Sequence, residues 1–155
     1  MGKFEITINK KGNDWAIKMG GTIDEDVDFG QYMLTGAQKI DLHLADIKSI
    51  NSCGIREWIK WIGATAAAVT YHECPKIIVD QINMVQGFLP GRATVNSFFV
   101  PFYCEESSSE KSYLFRLGHE FNSNGDLKIP IVKDDQGHVM EMDVVEAKYF
   151  KFLKK

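Results

Sequence analysis

Ser52 and Cys53 stand side by side in the stretch Asn-Ser-Cys-Gly, and both side chains serve as nucleophiles in enzymes. Such a nucleophile needs a general base within hydrogen-bond reach, usually a histidine that a carboxylate orients. The chain has histidines at positions 43, 72, 119 and 138, and His43, just upstream, makes a pair with Cys53 conceivable. The stretch does not match the Gly-x-Ser-x-Gly elbow of hydrolases, because position 50 is Ile. The pattern therefore favours a non-enzymatic role, and we expect no catalytic residue and no cofactor.

The same stretch has the residue types of a helix start. Asn51 and Ser52 both rank high as N-cap residues, whose side-chain oxygen accepts a backbone N–H that would otherwise lack a partner. Gly54 would then allow close packing in the first turn. A helix start also favours an anion, and a phosphoryl group on Ser52 would add a charge of about −1.5 to −2 near the acidic run 23–28. Ser52 is thus a phosphorylation candidate, and an unmodified, capped loop is the alternative.

The surrounding chain predicts alternating strands and helices. Period-two alternation indicates strands at 3–8, 14–24 and 38–47, of which the first two form a hairpin. An apolar stripe predicts a helix across 53–69, formed by Ile55, Trp58, Ile59, Ile62, Ala66 and Val69. A strand at 68–73, a helix at 74–88 and one strand at 93–103 follow. Strand–helix–strand order indicates an α/β fold with parallel pairing in a mixed sheet.

The composition is that of a folded, soluble chain. Of 155 residues, 45% are apolar and 25% are charged, and a net charge of −3 gives little support to nucleic-acid binding. No apolar run approaches the roughly 18 residues that would suggest a membrane span. Three widely separated cysteines favour a reducing cytosol over a disulfide framework. We therefore expect a cytoplasmic protein that binds neither nucleic acid nor membrane.

Two segments carry a resemblance to a known family. The stretch Gly-Thr-Ile-Asp at 21–24 and the segment 39–62 resemble the STAS domain of anti-sigma-factor antagonists, and the likeness extends over residues 4–100. The family's pattern is Gly-x-Ile/Leu-Asp after the second strand, a hydrophobic strand, and Asp-Ser-Ser/Thr-Gly-Leu/Ile at a helix start. The resemblance implies a mixed β-sheet flanked by helices that binds other proteins without catalysis. It also implies that a kinase-like anti-sigma factor phosphorylates Ser52.

The chain departs from the family's pattern at three positions. Asn51 stands where the family has Asp, and Cys53 replaces a small hydroxyl residue. His43 occupies a place on the preceding strand where an acidic residue is usual. Two carboxylates of the pattern are therefore missing, and both the phosphorylated switch and the capped, unmodified loop stay open.

Residues 97–155 are predicted as a β-ribbon extension with a short terminal helix, packed on an α/β domain of residues 1–96. Cys104-Glu-Glu-Ser107 and the stretch 130–143 lie where a zinc ribbon places its two knuckles. Such a site needs two Cys-x-x-Cys pairs, and here Ser107, Val132 and Asp135 stand near the other three positions. We therefore predict a ribbon that has lost its metal. The alternative is a metal site built from Cys104, His119 and His138.

The acidic run, the helix start and the exposed side of the first helix are predicted to form a partner-binding face. Its candidate residues are Asp24, Asn51, Ser52, Cys53 and Trp61. Trp58 is expected in the core, whereas Trp61 flanks the apolar stripe and is a candidate anchor for the extension or for a partner. The leading hypothesis is a protein–protein interaction module in bacterial cytosolic signalling. The alternative is a scaffold or assembly subunit that uses the ribbon, with the Ser52 loop silent.

Overall fold

The computed structural model describes residues 3–154 and has a mixed α/β architecture, which confirms the predicted fold class. The first sheet has five strands: β1 Glu5–Lys11, β2 Asp14–Ile23, β3 Lys39–Ile50, β4 Ala68–His72 and β5 Ala93–Val95. They lie in sequence order across the sheet. β1 and β2 form an antiparallel hairpin, and the later neighbours are parallel. The hairpin therefore occupies one edge, and the parallel strands place their carboxyl ends on one side.

Two helices, α1 (Ser52–Gly63) and α2 (Lys76–Met84), connect consecutive parallel strands. Both crossovers advance the sheet in the same direction, and because such crossovers are right-handed, both helices cover the same face. Inward side chains such as Ile17, Leu42 and Tyr71 are fully buried, and they alternate with partly exposed residues on the other face. The core of this part lies between the sheet and the two helices.

The α1 helix is shorter than predicted. It ends at Gly63, whereas the apolar stripe continues to Val69. Val69 instead pairs with Ile40 in the parallel sheet and faces the core there. The side chain of Arg92 donates to the carbonyl of Ile62 in the last helical turn, which satisfies an acceptor that a helix end leaves unpaired. The apolar stripe predicted too long a helix because the buried residues of α1 and the first buried residues of the following strand happen to continue the same helical spacing.

The predicted strand at 93–103 is two strands of different sheets. Its second half, β6 (Ser97–Cys104), is the central strand of a second, antiparallel sheet that also contains β7 (Ser109–Arg116) and β8 (Glu141–Met142). The chain closes with helix α3 (Glu146–Tyr149) and a 3-10 helix over Lys151–Leu153. At the break, Asn96 donates its N–H to the carbonyl of Tyr71, and its carbonyl accepts from Leu117. These two bonds join the sheets through the backbone of one residue.

Phe98 lies where the two sheets meet. It is fully buried, and its ring lies 5.1–6.3 Å, between centroids, from five other aromatic rings. Those rings belong to Phe115, Phe121, Tyr149, Phe150 and Phe152. Phe98 also forms a bridge with Cys74, which directly follows the loop after β4. The buried side chains of both sheets form one continuous cluster, so the extension shares its core with the first sheet.

The C-terminal segment is tied to α2 by the side chain of Asn83. Its amide nitrogen donates to the carbonyl of Tyr149 at 2.8 Å, and its oxygen accepts from the N–H of Phe152 at 2.9 Å. The Tyr149 hydroxyl donates to the carbonyl of Phe99 on β6, and burial raises the pKa of that hydroxyl. The short helices at the end of the chain are thereby held against α2 and the second sheet. Across residues 3–154, every helix is too short or too polar to cross a bilayer.

Candidate functional site

The loop between β3 and α1 places Ser52 at the surface. Asn51 is the N-cap: its backbone is extended, and its Oδ1 accepts the N–H of Gly54 at 2.9 Å. Of the two predicted caps, Asn51 is therefore the one that caps the helix. Ser52 is the first residue of α1, and its side chain is exposed. The first backbone N–H groups of a helix have no intrahelical partner, so this position carries the partial positive charge of a helix start.

Gly54 lets the start of α1 approach the end of β2. A Cβ at this position would lie 2.5 Å from the carbonyl oxygen of Ile23 and 2.9 Å from its Cγ2. That same carbonyl accepts the N–H of Asn51 at 3.1 Å, which fixes the loop to the sheet. The neighbouring Gly21 has a φ of +85°, and a Cβ there would collide with the backbone of Lys3. Gly54 is thus required by the contact that positions the loop, and Gly21 by the close approach of the chain before β1.

Substitution of Gly54 by alanine should lower the free energy of unfolding by about 1–3 kcal/mol, because the added methyl group overpacks the contact with Ile23. The matched control is Gly63→Ala at the other end of α1, where a Cβ meets no atom within 4 Å. There alanine should be neutral or stabilising by up to about 1 kcal/mol, since it restricts the unfolded chain. Urea unfolding of the two variants measures the difference. Equal stabilities would contradict the close contact at Gly54.

Asn51 also connects the helix start to the acidic loop after β2. Its Nδ2 donates to Oε1 of Glu25 at 2.8 Å. A backbone N–H and this side-chain bond lower the pKa of Glu25, so its carboxylate is ionised at neutral pH. Asp24 is half-buried, and its Oδ1 accepts the N–H of Asp26 at 2.9 Å. Glu25 was absent from the predicted site residues, although it lies within the acidic run that the sequence marks.

Cys53 is half-buried, and its Sγ accepts a weak hydrogen bond from Arg56 at 3.5 Å. His43 does not reach it. β3 continues from His43 through seven residues to Ile50, which places the imidazole roughly 20 Å from the loop at the rise of a β-strand. Cys53 and His43 therefore do not form a pair, because β3 extends to Ile50, beyond its predicted end at residue 47.

His43 instead stacks on His72 of the neighbouring strand. Their ring centroids are 4.8 Å apart, with an angle of 18° between the planes. Nε2 of His72 lies 2.8 Å from Oδ1 of Asp41, so the three side chains form a polar cluster on the sheet face away from the helices. This cluster is separate from the Ser52 loop.

Trp61 packs against the segment that follows the acidic loop, between β2 and β3, and not against the extension. Its ring stacks on Phe29 with centroids 4.6 Å apart, and its Nε1 donates to the carbonyl of Tyr32 at 2.7 Å. The prediction that Trp61 anchors the extension is wrong, because the segment between β2 and β3 folds over this side of α1. Only 8% of Trp61 is exposed, which leaves little of it for a partner. Trp58 is fully buried, as its place in the stripe indicates.

A second polar cluster lies at one end of the second sheet. One ligand atom each from Cys104, Asp134 and His138 lies within 4.8 Å of the others, and this is the one such group of three among residues 3–154. His119, the third member of the predicted alternative site, is exposed and outside the group. The zinc-ribbon spacing points to Asp135, the next residue, so Asp134 was not among the candidate ligands. A hydrogen bond from Ser107 is the main cause that lowers the pKa of Asp134.

Comparison of the chain with family models, with curated proteins and with solved structures gave no match.

Proposed function

We propose that this chain is a non-enzymatic protein–protein interaction module of bacterial cytosolic signalling, similar to an anti-sigma-factor antagonist. The observation that carries the proposal is the placement of Ser52. Its side chain is exposed at the first residue of α1, and the preceding Asn51 is bonded to the acidic loop. This geometry offers a hydroxyl to a kinase and a surface of loop and helix to a partner. The resemblance to STAS domains supplies the class of partner, a kinase-like anti-sigma factor or another regulator.

A phosphoryl group on Ser52 would change the charge balance of this surface. The helix start and Arg56, one turn further along α1, would attract a group carrying a charge of about −1.5 to −2. The ionised Glu25, which Asn51 holds close to the loop, would be repelled. Phosphorylation should therefore shift the acidic loop away from the helix start and present a different face to the partner. The proposed site comprises Asp24, Glu25, Asn51, Ser52 and Cys53.

Replacement of Ser52 by aspartate should weaken the complex with the regulator about tenfold, which corresponds to about 1.4 kcal/mol of binding free energy. Wild-type protein, Ser52→Asp and Ser52→Ala would be used to recover partners from the native cell, followed by titration with the identified partner. Ser52→Ala should bind as the wild type does, because it adds no charge. The intact mass of the native protein should show one phosphate that maps to Ser52.

The matched control is Ser112→Asp, which makes the same chemical change at an exposed serine of β7. It should leave the affinity unchanged. Recovery of the same partners in equal amounts by wild type and Ser52→Asp would overturn the switch.

A second function, a scaffold or assembly subunit, is favoured by exposed apolar side chains in the extension. Ile131 is 79% exposed and Val139 is 62% exposed; Val139 pairs with Lys133 in an isolated bridge, and Ile131 lies two residues before Lys133. If this surface holds a larger complex, Ile131→Ser with Val139→Ser should abolish assembly, and Ser52→Asp should not. Point variants are preferable to deletion of the extension, because the deletion would expose Phe98 and its neighbours.

A further inference from the structure

Three side chains of metal-binding type meet where two turns of the extension come together. Cys104 ends β6 directly before the turn to β7, whereas Asp134 and His138 flank the tip of a later hairpin. We propose that Cys104, Asp134 and His138 bind one Zn²⁺ ion, with the fourth coordination position open to water. This proposal is independent of the Ser52 loop and replaces the expectation that the extension holds no metal.

The donor set fits zinc. Zinc is bound by thiolate sulfur, imidazole nitrogen and carboxylate oxygen, and thiolate with imidazole disfavours Mg²⁺ and Ca²⁺. The sulfur of Cys104 and the Asp134 carboxylate are shielded, since Cys104 is 5% exposed and the Asp134 side chain 4%. The His138 side chain is 38% exposed, which leaves an entry path. The group is thus buried enough to hold an ion and open enough to receive one.

One distance within the group matches the edge of a coordination tetrahedron. Nδ1 of His138 lies 3.2 Å from Oδ2 of Asp134. Ligands about 2.0–2.1 Å from a zinc ion stand about 3.3 Å apart along the edge of a tetrahedron. All three ligand atoms already lie within 4.8 Å of one another, so small side-chain movements would bring the sulfur into range.

The surrounding contacts orient the ligands. Oδ1 of Asp134 accepts the N–H groups of Gln136 and His138, both at 2.9 Å, which directs Oδ2 toward the histidine. Ser107 donates to Oδ2 at 2.6 Å. Nε2 of His138 lies 3.4 Å from a carboxylate oxygen of Glu106, an arrangement that lets the ring bind metal through Nδ1 and donate from Nε2. Such outer contacts are typical of histidine ligands in metal sites.

The ion would join parts of the extension that have little regular structure between them. Residues 117–140 contain turns and isolated bridges in place of long strands. A shared ion would attach the hairpin around Asp134 to the turn between β6 and β7. The role assigned to the ion is to join these two parts of the extension, and metal binding should raise the melting temperature.

The test uses the full chain, freed of metal with a chelator and titrated with zinc chloride. We expect one zinc per chain by metal analysis and native mass spectrometry, and an increased melting temperature. Cobalt in place of zinc should give a thiolate-to-metal charge-transfer band. Cys104→Ser should remove that band, and Cys104→Ser, Asp134→Asn and His138→Gln should each weaken zinc binding at least about 100-fold in competition with a chromogenic chelator.

The controls are His119→Gln, Cys53→Ser and His72→Gln, which remove ligands outside the group and should leave the affinity unchanged. Since His138 is partly exposed, His138→Gln decides the matter if Cys104→Ser does not fold. Three results would each overturn the proposal: no stoichiometric zinc, unchanged affinity in His138→Gln, or loss of zinc in His119→Gln or His72→Gln. In those cases the group is a hydrogen-bonded cluster only, or the metal lies elsewhere.

Discussion

Replacement of Phe98 by alanine should lower the free energy of unfolding by about 3–5 kcal/mol, the range for a fully buried phenylalanine. The ring is completely enclosed and contacts aromatic side chains from β7, from the segment after it and from the C-terminal helices. Its loss leaves a cavity that neighbours on several elements would have to fill together. Phe99→Ala is the matched control. Because the Phe99 side chain is half-exposed, its loss should lower the free energy of unfolding by less.

The same variant tests whether the two sheets unfold together. All three tryptophans, Trp15, Trp58 and Trp61, lie in the first sheet or α1, so their fluorescence reports on that part alone. Because the buried cluster is continuous, Phe98→Ala should shift the fluorescence transition in urea as much as the circular-dichroism transition. A fluorescence transition that stays at the wild-type midpoint would show that the extension unfolds as a separate unit.

Trp58→Ala should also cost about 3–5 kcal/mol of unfolding free energy. Trp58 is fully buried and stacks on Phe88 with centroids 4.9 Å apart and planes within 6°. Its Nε1 donates to the hydroxyl of Tyr71 at 3.1 Å, and that hydroxyl donates to the carbonyl of Phe88. Burial raises the pKa of Tyr71, so the hydroxyl stays protonated and can donate. This chain of bonds fixes α1 to β4 and to the segment after α2.

The contribution of the hydrogen bonds can be separated from that of the ring. Trp58→Phe keeps an aromatic ring and removes the donor, whereas Tyr71→Phe leaves the indole N–H buried without its acceptor. Tyr71→Phe should cost about 1–3 kcal/mol, the penalty for an unpaired buried polar group. The double variant should cost less than the sum of the single ones, since each removes the same bond. Additive losses in urea unfolding would contradict a shared bond.

Local patterns in the sequence predicted the hairpin of β1 and β2, the strand before the Ser52 loop and the two helices of the first sheet. These features depend on neighbouring residues, because alternation and helical spacing record which side of a segment is buried. The helix start was also visible, since Asn and Ser are strong caps and Gly54 follows them. Only the folded structure shows that Asn51 is the cap and that Ser52 is exposed. It also shows the bond from Asn51 to Glu25.

Tertiary structure alone decided which distant residues meet. The end of α1 depends on where the chain returns to the sheet, and the division of 93–103 into two strands depends on the pairing of each half with a different sheet. His43 faces His72 because β3 and β4 are parallel neighbours in that register. Cys104 meets Asp134 and His138, and not His119, because two turns far apart in sequence fold against each other. Spacing along the chain carries little information about such contacts, since they arise from the packing of whole elements.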